Sequence, residues 1–124
     1  MLEFLVATQE KPKMQPISST VEGNYGLFPL KGELDETHLD WLNESIEPLL
    51  KNSQVKKLIL DCTQLAFINS KIVGFMVGIH THLSREGRHL IIAAPQQAVM
   101  DVIQLVGLTA IIPVVVSVEE ALKM

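Results

Sequence analysis

Three short runs of consecutive apolar residues mark the chain: Leu58-Ile59-Leu60, Leu90-Ile91-Ile92-Ala93-Ala94, and Ile111-Ile112 with Val114-Val115-Val116, each bounded by polar or turn-forming residues. Unbroken apolar runs of this length are the pattern of strands buried on both faces. The first predicts a strand from Lys57 to Asp61. Between the runs lie stretches of helical period, long enough to act as crossovers, so neighbouring strands should be parallel. The expected class is α/β: one domain with a mixed, mostly parallel sheet covered by about four helices.

The first part of the chain carries a weaker pattern. Leu27-Phe28-Pro29-Leu30 followed by Lys31-Gly32-Glu33-Leu34 predicts a strand ending in a turn, with Pro29 placing it at a sheet edge or a bulge because proline donates no ladder bond. Residues 1–8 and 17–22 are candidates for antiparallel strands on either side of the loop Glu10-Lys11-Pro12-Lys13-Met14-Gln15-Pro16.

Helix signals are clearer. Asp35 is placed to cap a first helix, with Glu36 and Asp40 near its positive end and Leu39, Leu42, Ile46 and Leu49 as the inward stripe; Pro48 should kink or end it. A later helix has Pro95 in its first turn, Val99, Val102, Ile103 and Val106 on its apolar face, and Gly107 as its stop. Ser117-Val118-Glu119-Glu120 matches a capping box and opens a short closing helix.

The segment Phe67-Ile68-Asn69-Ser70-Lys71-Ile72-Val73-Gly74 opens the remaining helix and sets a hydroxyl, Ser70, at its N-terminus. Unpaired N–H groups and the positive end of the dipole favour an oxygen acceptor or a phosphate there. A serine at such a junction also commonly serves only as an N-cap. With about 100° per residue, Ile72, Met76, Ile79 and Leu83 form the inward stripe, while Ser70, Gly74, Val77, Gly78, Thr81 and Arg85 fall roughly opposite. Glycines on the outer face of a helix each cost about 1 kcal/mol relative to alanine, so Gly74 and Gly78 call for a reason. One is a docking face where a protein partner approaches the backbone, with Val77 as a small apolar contact and Lys71 and Arg85 at the ends. The other is close packing of another part of the same chain.

Composition narrows the function. The 124 residues, 48% apolar and 19% charged, suit one soluble domain, and a net charge of −4 with a pI near 5.5 disfavours nucleic acid as a partner. A single cysteine, Cys62, permits no intramolecular disulfide and suits a reducing interior. Met1 to Val6 carries an acid where a signal peptide needs basic residues, and no run approaches the roughly 18 apolar residues of a membrane span. The expected address is cytoplasmic, without membrane insertion.

Catalytic and cofactor chemistry find little footing. His80 and His82 project about 200° apart on a helix and cannot share a metal, and Gly74 and Gly78 lie inside a helix where a phosphate loop would precede one. Cys62 is read as a buried thiol in preference to a nucleophile. Asp61, at a strand end, invites comparison with the phosphoacceptor aspartate of response-regulator receivers, but the acidic pair and the lysine such a site needs are missing. The expectation is no enzyme, no metal and no cofactor, with nucleotide sensing near Asn69 and Ser70 as a weaker alternative.

Taken in order, the strand, the Phe67-to-Gly74 segment, its helix, the strand from Arg88 to Ala94, the Pro95-led helix, Leu105-Val106-Gly107-Leu108-Thr109, a last strand and Glu119-Glu120-Ala121-Leu122 resemble the STAS domain of bacterial anti-sigma factor antagonists. The resemblance covers residues 25–124 as a STAS core and leaves residues 1–24 as an extra N-terminal strand or arm. The family pattern runs aromatic or apolar pair, Asp-Ser-Ser-Gly, apolar residue, glycine. Phe67-Ile68, Ser70 and Val73-Gly74 match it; Asn69 stands for the acid, Lys71 for the second serine and Ile72 for the first glycine.

The resemblance implies an anti-sigma factor antagonist. Ser70 would be the phosphoacceptor of an anti-sigma factor that is a GHKL-type serine kinase, and only the unmodified form would bind and sequester that kinase. Partner contacts would come from Asn69, Lys71, Gly74, Val77 and Gly78. The alternative within the family is a non-phosphorylated scaffold or subunit of a stressosome-like or lipid-transport complex. Asn69 lacks the carboxylate that would touch kinase or metal, and Lys71 would favour a phosphate and oppose a cationic partner.

Overall fold

A computed structural model describes residues 15–124. Its elements are β1 (Thr20–Glu22), β2 (Tyr25–Leu34), α1 (Leu39–Lys51), β3 (Lys57–Ile68), α2 (Ser70–Arg85), β4 (His89–Ala93), α3 (Gln97–Leu105), β5 (Val114–Val115) and α4 (Val118–Lys123). The sheet order is β1-β2-β3-β4-β5; β1 is antiparallel to β2 and every other pair is parallel. The α/β class, the mixed sheet and the four helices agree with the sequence pattern. An expected strand within residues 1–8 lies outside the described residues, and β1 falls within the 17–22 stretch.

The apolar runs alternate between two unequal cores. Leu58, Leu60, Leu90 and Ile92 point to a large cluster that α1, α2 and α3 close with Leu42, Ile46, Leu49, Ile72, Met76, Ile79, Leu83, Val99 and Ile103. Ile59, Ile91 and Ala93 point the other way, to a small cluster closed by Ala121 of α4. This is why the strand centres show no polar alternation: both faces are covered.

Several boundaries differ from the pattern-based reading. β3 does not stop at Asp61 but continues to Ile68, and β2 does not turn at Lys31–Leu34 but pairs with β3 along that whole stretch. The bulge expected from Pro29 appears as a register shift directly after it, a second shift follows Gly32, and Gly32 takes φ +73°, a conformation that favours glycine at a bulge. Pro29 lies beyond the reach of β1, which pairs with β2 only as far as Leu27.

Asp35 caps not α1 itself but a 3₁₀ turn, Glu36–His38, that leads into it. Pro48 does not end α1, which runs on to Lys51. Pro95 lies before the cap residue Gln96 and outside the first turn, because Ala94 adopts φ +57° and turns the chain there. Val106 is the half-exposed C-cap of α3 and no part of its buried face, while Gly107, at φ +74°, stops the helix as its position implied. The last strand shrinks to Val114–Val115, since Leu108–Ala110 forms a 3₁₀ turn and Ile112 buries itself in the large cluster. Ser117 Oγ accepts the Glu120 N–H at 3.1 Å, so the expected N-cap forms, but only this half of the capping box is made: the Glu120 side chain does not return to the Ser117 N–H.

One residue ties these parts together. Arg88, only 3% exposed, donates from Nε to Val55 O at 2.7 Å, from Nη1 to Leu50 O at 2.8 Å, and from Nη2 to Leu49 O at 2.9 Å and Asn52 O at 3.0 Å. The last carbonyls of a helix lack the usual i+4 N–H partners, and at the end of α1 and in the connection after it the guanidinium fork supplies donors from the head of β4, beside the backbone bonds Asn52 N–H to Leu49 O and Val55 N–H to Asn52 O. Glu86 completes the set, accepting from Nη1 at 2.6 Å.

Arg88→Ala would remove every guanidinium donor from these carbonyls, leaving Leu49 O and Asn52 O only the backbone N–H groups of Asn52 and Val55, and should lower unfolding free energy by about 3 kcal/mol in urea melts, with Arg88→Lys, which has three donors and no fork, falling between. The Glu86 carboxyl is held below its ordinary value of 4.5, chiefly by the hydrogen bond from Arg88 and then by that residue's charge. A depressed carboxylate contributes stability above its unfolded pKa and loses it as pH falls through the folded one. Stability should therefore decline as pH drops below about 4.5, and Glu86→Gln should flatten that part of the curve.

Candidate functional site

Pairing with β2, continued past two register shifts, carries β3, the central strand, to its C-terminal end at Ile68, where the chain reverses into α2. Asn69, with extended backbone at φ −105° and ψ −178°, is the N-cap: Oδ1 accepts from Lys71 N at 3.1 Å and from Ile72 N at 3.3 Å. The capping role expected of Ser70 thus belongs to Asn69, whose amide oxygen reaches the second and third helical N–H groups. Ser70 is the first helical residue and is exposed, its hydroxyl free of the capping task.

Behind the cap stands a residue the sequence pattern placed on another element. Asn69 Nδ2 donates to Glu36 Oε2 at 2.6 Å, joining α2 to the turn that starts α1. That turn is itself closed: Asp35 Oδ1 accepts the Thr37 N–H at 2.9 Å, and Asp35 N donates to His38 Nδ1 at 3.1 Å. The Asp35 carboxyl is held below its usual range, first by the Thr37 hydroxyl and then by the Thr37 N–H.

Along α2 the inward stripe is as the period implied: Ile72, Met76, Ile79 and Leu83 are buried, joined by Phe75. Gly74 and Gly78 are exposed, and among the described residues nothing lies within 4 Å of where a Cβ would stand on either. Close packing within the described chain therefore does not explain them. They border a shallow groove of about 490 Å³ between α1 and α2, lined by Leu39, Asn43 and Leu50 on one side and Lys71, Gly74, Phe75, Gly78, Ile79 and His82 on the other. Its ionisable lining, among the described residues, is Lys71 and His82.

The groove brings together Lys71, Gly74 and Gly78 but not the whole expected set. Val77 is half-buried against the large cluster, about 100° around the helix from Gly78, and belongs to the opposite flank. Asn69 and Ser70 sit at the end of the helix and outside the lining. Leu39, Asn43 and Leu50 were out of reach because they belong to α1 and helical period describes one helix at a time; Phe75 and His82 are on α2 itself, at the flank between its inward stripe and its outer face.

The remaining candidates resolve into structural roles. Asp61 is not at a strand end; it lies within β3, where Oδ1 accepts the Thr63 N–H at 3.0 Å. Cys62 is fully buried, and desolvation, with the neighbouring Asp61 charge, pushes its thiol up to about 12, which leaves no thiolate at neutral pH. Among the described residues, no helix is long and apolar enough to cross a membrane.

Comparison with known proteins bears on the same region. The family model described as "STAS domain" matches residues 16–121. Among solved structures, the chain is similar to an anti-sigma-factor antagonist (STAS) domain protein from Planctomyces limnophilus, at 16% identity and a TM-score of 0.79, with 87% of this chain and 96% of that one covered. It is similar to the anti-sigma factor antagonist SpoIIAA in its unphosphorylated form, at 23% identity and a TM-score of 0.68 over 79% of this chain and 86% of that one. It is also similar to the Bacillus cell fate determinant SpoIIAA in the phosphorylated form, at 23% identity and a TM-score of 0.66 over 86% and 96%. At these identities the likeness concerns the fold.

Because Gly74 and Gly78 face open space, Gly74→Ala and Gly78→Ala should each stabilise the isolated chain, by about 0.5–1 kcal/mol in chemical denaturation. Destabilisation by either would show that the glycines serve this chain's own packing.

Proposed function

The chain belongs to the STAS-domain family, and from that footing we propose that it is an anti-sigma factor antagonist, a protein-binding module that sequesters an anti-sigma factor of the GHKL serine-kinase type and is switched by phosphorylation of Ser70. The observation that carries this reading is the bare glycine pair, Gly74 and Gly78, on the helix whose first residue is the exposed Ser70. Two helical glycines that cost stability and meet nothing in the described chain suit a surface made for close approach by another backbone. Lys71 and His82 flank the groove, so the partner segment should be apolar with acidic edges.

The switch follows from where Ser70 sits. A phosphate there adds about −1.5 to −2 charge beside the positive end of α2, a place that tolerates the anion within the free chain. The same charge at the rim of a close apolar contact would have to be desolvated against the partner, which opposes docking. Asn69 acts as the cap that presents Ser70, Lys71 as the cation at the groove's end, and Val77 as an apolar contact on the opposite flank. One departure favours a second reading. Asn69 is neutral and fully engaged by Lys71, Ile72 and Glu36, as suits a purely structural cap in a non-phosphorylated scaffold or subunit of a stressosome-like or lipid-transport complex.

Incubation with the cognate kinase and ATP, followed by intact-mass measurement, should add one phosphate to the wild-type chain and none to Ser70→Ala. Ser70→Asp should abolish kinase binding, and Gly74→Ala or Gly78→Ala should weaken it roughly tenfold, the equivalent of about 1.4 kcal/mol at a well-packed contact. An unmodified wild-type chain whose complexes tolerate Ser70→Asp would establish the constitutive reading instead.

A further inference from the structure

The groove between α1 and α2 is not lined by Ser70, so beyond meeting a partner at the rim, a charge on Ser70 reaches the groove only through contacts within the chain. The contacts supply one. Asn69 divides its amide between two tasks: the oxygen caps Lys71 and Ile72, and the nitrogen holds Glu36 Oε2 at 2.6 Å across 33 residues of sequence. An ionised aspartate could perform the first and not the second, because it has no donor. Asn69 and Glu36 are thus a matched pair, and a carboxylate stands beside the α2 N-terminus although residue 69 itself is neutral. Glu36 is the first residue of the turn that Asp35 and His38 close, and that turn leads directly into Leu39, which lines the groove.

We infer that Glu36 is the positioning residue of the Ser70 switch, a latch that holds Asn69 and the start of α1 in register while Ser70 is uncharged and is expelled when Ser70 becomes anionic. This rests on Ser70 being the modified residue. The N-terminus of α2 favours one anion, and Glu36 provides it. A phosphate on the adjacent residue is covalently fixed there and carries the larger charge, so like-charge repulsion moves the exposed Glu36 side chain, which is free to turn to solvent. Asn69 then loses its anchor on the turn, the 36–38 segment loosens, and Leu39 shifts at the groove. The phosphate acts on the docking surface without entering it.

The test needs neither kinase nor ATP, so its outcome is separate from that of the phosphorylation assay. Wild type, Ser70→Asp, Glu36→Gln and the double variant of the full chain are compared by urea unfolding and by amide exchange at residues 35–39. Glu36→Gln keeps an acceptor for Asn69 and removes only the charge; Glu36→Ala removes both and serves as the second variant. In the Glu36→Gln or Glu36→Ala background, adding Ser70→Asp should raise the folding constant roughly two- to fivefold, the ordinary gain for an acid in the first turn. With Glu36 present, the same substitution should be neutral or unfavourable, and Thr37 and His38 should exchange about threefold faster or more. Equal effects of Ser70→Asp in all backgrounds, with unchanged exchange at 35–39, would overturn the inference.

Discussion

The guanidinium of Arg88 is the joint on which the rest of the molecule hangs. From the first residues after α2 it reaches the last carbonyls of α1, the connection into β3 and the side chain of Glu86. A buried charge of this kind is tolerable only because every donor direction finds an oxygen, and no buried side-chain polar atom among the described residues is left without a partner. The consequence is geometric. With the C-terminal end of α1 fixed to the head of β4, the two helices that form the groove are tied at one end by Arg88 and at the other by the bond between Glu36 and Asn69.

This two-point attachment explains how a small domain can hold an open groove in a defined shape. The inward faces of α1 and α2 are anchored by the large cluster, so burial fixes their distance from the sheet. Their spacing along the surface is set instead by polar contacts at the ends. The Arg88 end is deeply buried and multiply bonded, which makes it rigid; the Glu36 end is an exposed bond between two side chains, which makes it the one that can yield. Ser70 directly follows Asn69, the residue that makes this weaker tie.

The unequal coverage of the sheet points the same way. Three helices close one face while α4 alone closes the small cluster on the other. Glycine without a packing reason occurs on the well-covered side, where α2 has stability in reserve from Ile72, Phe75, Met76, Ile79 and Leu83. A helix that carries two unfavourable residues on its outer face needs such a foundation.

Much of this was written in local sequence. Strand-forming runs, the inward stripe of α2, the stop at Gly107 and the cap at Ser117 all follow from steric and hydrogen-bonding preferences that act within a few residues, and the segment from Phe67 to Gly74 carried the family resemblance. What local pattern could not supply was anything built from two distant segments. The extension of β3 to Ile68 depends on pairing with β2; the groove depends on α1 lying beside α2; Arg88 and Glu36 meet acceptors and donors 33 residues away. The sequence by itself determined that a hydroxyl and two bare glycines share one helix. Only the tertiary structure decided that Asn69 is the cap, that nothing within the described chain covers the glycines, and that the distant Glu36 carboxylate holds the Asn69 amide, because hydrogen bonds and close packing are made in space and leave no periodic trace along the chain.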